Sequence, residues 1–136
     1  MIPSPQLTVS SLDLARLEAL LSRPAMRDSA TADALWGELA RAQVLPPEAM
    51  PANVVTMNSR VRFALEPSGK EFELDLKYPD DTAADGAISI LAPVGSALLG
   101  LAVGQRIEWP LPTGGRVGVR ILAVTYQPEA AGDFEL

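Results

Sequence analysis

The sequence predicts an α+β fold, in which a short antiparallel helical hairpin precedes an antiparallel β domain that carries one short helix. Three observations support this fold class. Apolar residues recur at helical spacing over residues 10 to 45, and from residue 61 onward they alternate with polar residues, as in strands. Between the two patterns lies a proline-rich stretch, which is typical of a boundary. We therefore expect a helical hairpin (a short coiled coil) at residues 1–45, a linker at 46–53 and a β domain at 54–136.

The first predicted helix begins at Ser10, because Ser10 and Asp13 have the spacing of a capping box with Asp in place of Glu. Pro24 ends it, since the residue before a proline avoids the helical conformation. Its apolar stripe is made by Leu14, Leu17 and Leu21. The second helix is expected to begin after Asp28 or Ser29, both favourable N-cap residues. Its stripe consists of Leu35, Leu39 and Ala42, with Trp36 at the flank.

The turn between these helices is a candidate contact surface. Met26, Arg27 and Asp28 are expected to be exposed at its protruding tip. Met and Arg are both enriched at protein interfaces. A solvated loop is the alternative interpretation of the same residues.

Beyond the linker, alternation predicts five strands, at residues 61–65, 72–76, 87–91, 107–111 and 117–123. The glycine-containing segments 67–69 and 113–115 are typical of hairpin turns. Residues 96–99 predict one helical turn, bounded by Gly95 and Gly100. Trp109 alternates with polar neighbours, which favours a core or half-core position over a ligand platform.

The chain contains no cysteine and no histidine. Disulfides, thiolate metal sites and a Ser-His-Asp arrangement are therefore excluded, and we expect neither an enzyme nor a bound cofactor. With 17 acidic and 11 basic residues, the net charge is −6. The basic residues are scattered along the sequence, so we expect no direct sequence-specific binding to nucleic acid. The N-terminus does not resemble a signal peptide, and no apolar run is long enough to span a membrane. We expect a cytoplasmic monomer without membrane contact.

Two further motifs could suggest a phosphate-binding loop and a Mg²⁺ site, but both are better interpreted as turns and loops. The segment from Gly100 to Gly104 lacks the spacing of a phosphate loop and predicts a helix end followed by a turn. Acidic residues in two segments could hold Mg²⁺, but solvated loops are the better interpretation: Asp80, Asp81, Asp85, and near the C-terminus Glu129, Asp133, Glu135.

Residues 86–101, followed by Val103 and Gly104, resemble the C-terminal domain of the Gre transcript cleavage factors. That domain has the order Ile-Ser, Ser-Pro, glycine and a short Ala-Leu-Leu helix, and the resemblance implies an FKBP-like fold. A closer resemblance covers nearly the whole chain and is to the family of bacterial regulators of nucleoside diphosphate kinase, within the Gre superfamily. It is carried by Met50-Pro51, VVTMNSRV at 54–61, APVG at 92–95 and YQPEAAGD at 126–133.

The resemblance implies a non-catalytic transcription regulator that binds RNA polymerase near the secondary channel. Competition with Gre factors and an effect on nucleoside diphosphate kinase levels are implied as well. Gre factors grip the channel rim with an Asp-Ser-Pro loop, which corresponds here to Leu91, Ala92 and Pro93. Only Pro93 matches, so we expect a more apolar contact.

Stimulation of transcript cleavage is not expected. A helix of 11 residues spans only ~16 Å, too short to reach an active site within the channel. The tip also carries Asp28 alone, beside Arg27, where Gre factors carry acidic residues that help to hold Mg²⁺. The alternative function is an FKBP-like peptidyl-prolyl isomerase, which needs an aromatic pocket. The candidates for its lining are Phe63, Phe72, Tyr78, Trp109, Tyr126 and Phe134.

Overall fold

The computed structural model describes residues 7–26, 29–66, 68–79, 86–111 and 114–132. Backbone hydrogen bonds within these ranges define helices α1 to α4 and strands β1 to β7. The helices are α1 (Ser11–Leu21), α2 (Ala30–Ala40), α3 (Pro93–Leu98) and α4 (Pro128–Ala131). The strands are β1 (Thr8–Ser10), β2 (Gln43–Leu45), β3 (Arg60–Glu66), β4 (Glu71–Lys77), β5 (Ala87–Ser89), β6 (Arg106–Pro110) and β7 (Arg116–Tyr126). No helix in these ranges combines the length and apolar character needed to cross a membrane.

Helices α1 and α2 begin where the capping residues predict. The Ser10 hydroxyl accepts a hydrogen bond from the Asp13 N–H at 3.0 Å, and the Ser29 hydroxyl accepts one from the Ala32 N–H at 3.1 Å. Each bond satisfies an N–H that the first helical turn leaves without a backbone partner. Helix α1 ends at Leu21, and Pro24 opens a short 3₁₀ turn, Pro24–Met26.

Strands β1 and β2 form a parallel pair that the sequence analysis did not predict. Residues 43–45 were included in the helical region, and this was wrong, because their backbone pairs with residues 8–10. The Gln43 N–H donates to the Leu7 carbonyl at 2.8 Å, and the Thr8 N–H donates to the Gly100 carbonyl at 3.2 Å. The start of α1 and the chain after α2 are therefore joined at one place.

The main sheet has the strand order β5-β4-β3-β7-β6. All five strands were predicted, but the prediction of a purely antiparallel sheet was wrong, because β5 runs parallel to β4. Residues 78–86 separate these strands, and this connection is longer than the two-residue turn that can join antiparallel strands. The remaining pairs are antiparallel. The sheet is therefore mixed, and the fold belongs to the α+β class as predicted.

Helix α3 starts three residues earlier than predicted and takes Gly95 into its interior. Pro93 occupies the first turn, where its missing N–H has no cost. Gly100 follows the helix with a φ of +82°, which glycine adopts without strain. A Cβ atom at Gly100 would lie 2.8 Å from the Cβ atom of Leu7, so glycine also lets β1 approach.

The core lies between the main sheet, α3 and the two N-terminal helices. Helix α3 contacts β6 and β7, and α2 contacts α3. Trp109 is 2% exposed, which confirms its predicted core position. The largest fully buried side chains include Phe63, Leu7, Leu17, Leu35, Met57, Leu76, Ile90, Leu98, Leu101 and Ile121.

Candidate functional site

The first candidate surface is the apolar turn, defined as Leu91, Ala92 and Pro93, which follows β5 and ends in the first residue of α3. All three side chains are half-buried, and the following Val94 is half-buried too. Leu91 and Val94 pack against the core with part of their surface. The turn therefore presents the exposed parts of four consecutive uncharged residues.

Hydrogen bonds from both sides fix the backbone of the apolar turn. The Ser89 hydroxyl accepts from the Leu91 N–H, and the Ser89 carbonyl accepts from the Ala92 N–H, both at 3.0 Å. Ile90 is fully buried, and its carbonyl accepts a hydrogen bond from the buried Ser96 hydroxyl. The turn is consequently held between the sheet and the helix.

The second candidate, the tip between α1 and α2, differs from its prediction. Met26 was expected to be exposed, but it is half-buried and packs against the core, so this expectation was wrong. Its N–H donates to the Arg23 carbonyl at 2.9 Å, which folds the chain back in the 3₁₀ turn. Arg27 and Asp28, the other two predicted tip residues, lie outside the described residues.

A third feature was missed by the sequence analysis. We call it the polar junction and define it by Asp13, Thr56, Met57, Gln127 and Glu129. Asp13 is only 3% exposed, and its carboxylate accepts a hydrogen bond from the Met57 N–H at 3.1 Å. Burial raises the pKa of Asp13 to about 6, the Met57 hydrogen bond opposes this rise, and repulsion from Glu129 adds to it.

Gln127, the N-cap residue of α4, and Glu129 within α4 both contribute side chains to the polar junction. The Gln127 amide nitrogen donates to the carbonyls of Pro51 and Val54, at 2.6 and 2.7 Å. The Thr56 hydroxyl donates to the Glu129 carboxylate at 2.6 Å. The expectation that Glu129 belongs to a solvated loop was therefore wrong, because Glu129 is a half-buried helical residue with a specific partner.

One signal in the sequence could have revealed the polar junction. Asp13 precedes Leu17 by four residues and Leu20 by seven, so all three lie on one face of α1. The structure buries this face, including Asp13. A carboxylate on an apolar helix stripe requires a buried hydrogen-bond partner, and that requirement points to a contact elsewhere in the chain.

The described residues contain no cluster of three potential metal ligands. Asp80, Asp81, Asp85, Asp133 and Glu135 lie outside the part of the chain that the structure describes. No metal or cofactor is proposed for the polar junction, whose carboxylates are engaged with Met57 and Thr56.

The aromatic residues give no support to the isomerase alternative. Phe63 and Trp109 are buried in the core, and the Phe63 ring stacks on Phe72 with 5.7 Å between centroids. Tyr126 is exposed, Tyr78 is half-buried, and Phe134 is not among the described residues. A cleft of about 500 Å³ on the sheet has a charged lining instead: Glu66, Gly69, Arg106, Glu108, Arg116 and Gly118. Within it, Arg106 pairs with Glu66 and Glu108.

Two family models match different parts of the chain. Residues 50–126 match the model described as transcription elongation factor GreA/GreB, C-terminal, and residues 5–45 match the model described as the Rnk N-terminus. Among solved structures, the prokaryotic transcription elongation factor GreA/GreB from Nitrosomonas europaea is similar to this chain with a TM-score of 0.70. It is 55% identical in sequence, and the match covers 90% of this chain and 100% of that one. The fold and the matched residues thus define a protein of the Gre type.

Comparison with individual relatives shows which family of this class the chain belongs to. The regulator of nucleoside diphosphate kinase from Escherichia coli strain K12 is 47% identical over 97% of this chain and 98% of its own length. A transcription elongation factor GreA from Thermodesulfovibrio yellowstonii is 37% identical over 57% of this chain and 50% of its own length. The chain belongs to the family of regulators of nucleoside diphosphate kinase. The match to this GreA, unlike the match to the regulator, covers only part of the chain.

Proposed function

We propose that the protein is a non-catalytic transcription regulator that binds RNA polymerase near its secondary channel. The observation that carries this proposal is the apolar turn, a fixed and partly exposed surface in the region that resembles the polymerase-gripping loop of Gre factors. Membership of a family related to transcription elongation factors supports the same partner. The family name further suggests an influence on nucleoside diphosphate kinase levels.

The contact proposed for the apolar turn is hydrophobic. Leu91 and Ala92 carry no charge and accept no ion pair, whereas the corresponding Gre loop begins with Asp-Ser. Their backbone N–H groups are already bonded to Ser89, so the turn offers shape and apolar surface rather than free donors. A preorganised apolar turn loses little conformational freedom when it binds, which favours its use as an anchor.

The N-terminal helices support competition with Gre factors without stimulation of cleavage. We propose that α1 and α2 are a shortened version of the Gre coiled-coil hairpin, attached to a β domain of the FKBP-like type through the 46–53 linker. Each helix has 11 residues, or ~16 Å of helix axis. Occupation of the channel rim by this short unit would exclude a Gre factor and leave the catalytic centre unassisted.

The binding proposal is tested with purified core RNA polymerase and the full chain in a biolayer binding assay. Ala92→Glu adds a charge at the apolar turn, where we expect binding to weaken at least about tenfold, because burying an unpaired carboxylate is unfavourable. Pro93→Ala and Leu91→Asp probe the neighbouring positions. Ala52→Glu makes the same change at an exposed linker position and should bind like wild type.

Circular dichroism on each variant separates loss of binding from loss of folding. Wild-type protein that is folded but fails to bind polymerase at low salt would overturn the proposed partner. A folded Ala92→Glu variant with unchanged affinity would instead reject the apolar turn as the contact. Displacement of a Gre factor from polymerase tests competition, and a transcript cleavage assay should show no stimulation.

Three further expectations accompany this proposal. We propose that the protein acts as a monomer, in the cytoplasm, without direct recognition of a nucleic-acid sequence. Light scattering at increasing protein concentration tests whether the protein is a monomer. An electrophoretic mobility assay with several unrelated DNA duplexes tests for recognition of a nucleic-acid sequence. Sequence-dependent retardation would contradict the expectation that there is none.

A further inference from the structure

Two carboxylates from opposite ends of the chain converge on neighbouring residues. Asp13 of α1 accepts a hydrogen bond from the Met57 N–H at 3.1 Å, and Glu129 of α4 accepts one from the Thr56 hydroxyl at 2.6 Å. Because Thr56 and Met57 are adjacent, both helices are fastened to a single dipeptide. A change in the Asp13–Met57 hydrogen bond therefore occurs directly beside the Glu129–Thr56 hydrogen bond.

The surroundings of Asp13 make its charge costly. Besides Glu129, the charged and titratable groups that act on it are Arg16 of α1, whose charge lowers the pKa of Asp13, and Tyr78. Burial raises the pKa of Tyr78, and the charges of Asp13 and Glu129 raise it further. The Ser10 hydroxyl lies within the same cluster. The pKa values of Asp13 and Tyr78 are therefore both raised by burial and by the charges of neighbouring acidic groups.

Thr56 connects the second carboxylate to a hydrogen-bond chain. Its N–H donates to the Ser59 hydroxyl oxygen at 2.9 Å, and the two hydroxyl oxygens are 2.8 Å apart. A hydroxyl has one proton to donate, so the Thr56 hydroxyl bonds to Glu129 only if Ser59 is the donor between the two hydroxyls. The attachment of Glu129 is therefore conditional on the direction of the Ser59–Thr56 hydrogen bond.

We propose that Asp13 and Glu129 form a proton-linked pair, through which the ionisation of Asp13 sets how firmly α4 is held on the β domain. When Asp13 is neutral, Glu129 experiences no repulsion and keeps its bond to Thr56. When Asp13 is charged, the two carboxylates repel each other, and the less buried attachment, the one at Glu129, loosens. Gln127 transmits this change to Pro51 in the linker and to Val54 at the start of the β domain.

Amide hydrogen exchange on the full chain tests the proposal. The N–H groups of Ala130, Ala131 and Gly132 bond within α4 and report its opening. After correction for intrinsic exchange, we expect their protection to be at least about threefold higher at about pH 5 than at about pH 7.5, relative to the amides of Val61 and Phe63. The β3 amides serve as the reference for global unfolding. Unchanged relative protection in wild type would overturn the proposal.

Variants test whether the pH dependence of α4 protection arises from Asp13 and Glu129. Asp13→Asn and Glu129→Gln should each abolish the pH dependence of α4 protection, whereas Glu18→Gln, the same kind of change at an exposed position on α1, should keep it. Should Asp13→Asn fail to fold, NMR titration of the Asp13 carboxyl in Glu129→Gln decides instead. Its pKa should fall below the wild-type value, and an unchanged pKa would refute the coupling.

Discussion

The carbonyl oxygen of Ser89 lies 2.0 Å from the position that a Cβ atom would occupy on Gly95. The carbonyl carbon of Ser89 is 2.9 Å from the same position. Both atoms belong to the backbone, so neither can rotate away as a side chain would. Only glycine allows α3 to pack this closely on the end of β5, and the apolar turn lies between the two elements.

We therefore expect Gly95→Ala to be strongly destabilising. The added methyl group must push α3 away from β5, which should lower the free energy of unfolding by about 3 kcal/mol or more. Urea denaturation measures the change. Gly37→Ala is the matched control, because Gly37 is exposed in α2 with nothing within 4 Å of its Cβ position, and this variant should be more stable by about 0.5–1 kcal/mol.

The Ser96 hydroxyl provides a second test of how the apolar turn is held. Ser96 is fully buried and donates to the Ile90 carbonyl, so Ser96→Ala leaves a buried acceptor without this donor. We expect a loss of about 1–3 kcal/mol in unfolding free energy. Ser22→Ala removes a hydroxyl that donates to the Glu18 carbonyl at an exposed helix end, and should cost less than about 0.5 kcal/mol. Equal losses in the two variants would contradict a specific role for Ser96.

Asp13 should make the stability of the protein depend on pH in the direction opposite to an ordinary salt-bridged carboxylate. Its pKa is about 6 in the folded protein, compared with 3.8 for an unperturbed aspartate, so the folded state binds the proton more tightly. Asp13 therefore favours the folded state as the pH falls from about 7 to about 4. The difference corresponds to about 3 kcal/mol at most.

Asp13→Asn removes this contribution while its amide oxygen can still accept from Met57. The variant should be more stable than wild type at about pH 7.5, and the advantage should disappear near about pH 4. Urea denaturation across this pH range measures both curves. Asp33→Asn, at an exposed position in the first turn of α2, should follow the wild-type pH dependence. An Asp13→Asn variant that is less stable at neutral pH would show that the Met57 contact requires a charge.

Gln127 is expected to be sensitive to a change of one atom. Gln127→Glu replaces the amide donor with an oxygen that faces the carbonyls of Pro51 and Val54, at positions where the amide nitrogen now lies 2.6 and 2.7 Å away. Loss of both bonds together with the repulsion should cost at least about 2 kcal/mol. Thermal unfolding detects it. Gln43→Glu, on the exposed part of β2, should leave the melting temperature nearly unchanged.

The parts of the fold that sequence patterns predict are those specified by local chemistry. Ser10 and Ser29 cap helices because a hydroxyl close in sequence satisfies the first free N–H groups. Strands β3 and β4 follow from alternation, with a glycine turn between them that needs no distant partner. Trp109 alternates with polar neighbours, and this was enough to place it in the core.

The missed features depend on contacts between distant residues. Strands β1 and β2 have three residues each, too few for a periodic pattern, and they exist because residue 8 meets residue 43. Asp13 is bonded to a residue 44 positions away, so its partner could not be identified from spacing. Met26 was expected to be exposed because of its residue type, but the 3₁₀ turn directs it onto the core. In each case tertiary packing, rather than propensity, determined the outcome.

The pairing of β1 with β2 makes the helical unit an insertion between two fixed points. The chain leaves the paired strands at Ser10 and returns to them at Gln43, and the Thr8 bond to Gly100 holds that junction against the rest of the molecule. Equal lengthening of α1 and α2 would leave these attachment points undisturbed. The strand pairing therefore does not fix the length of the two helices, which suits the scaffold to grafting of longer or shorter arms by protein engineering.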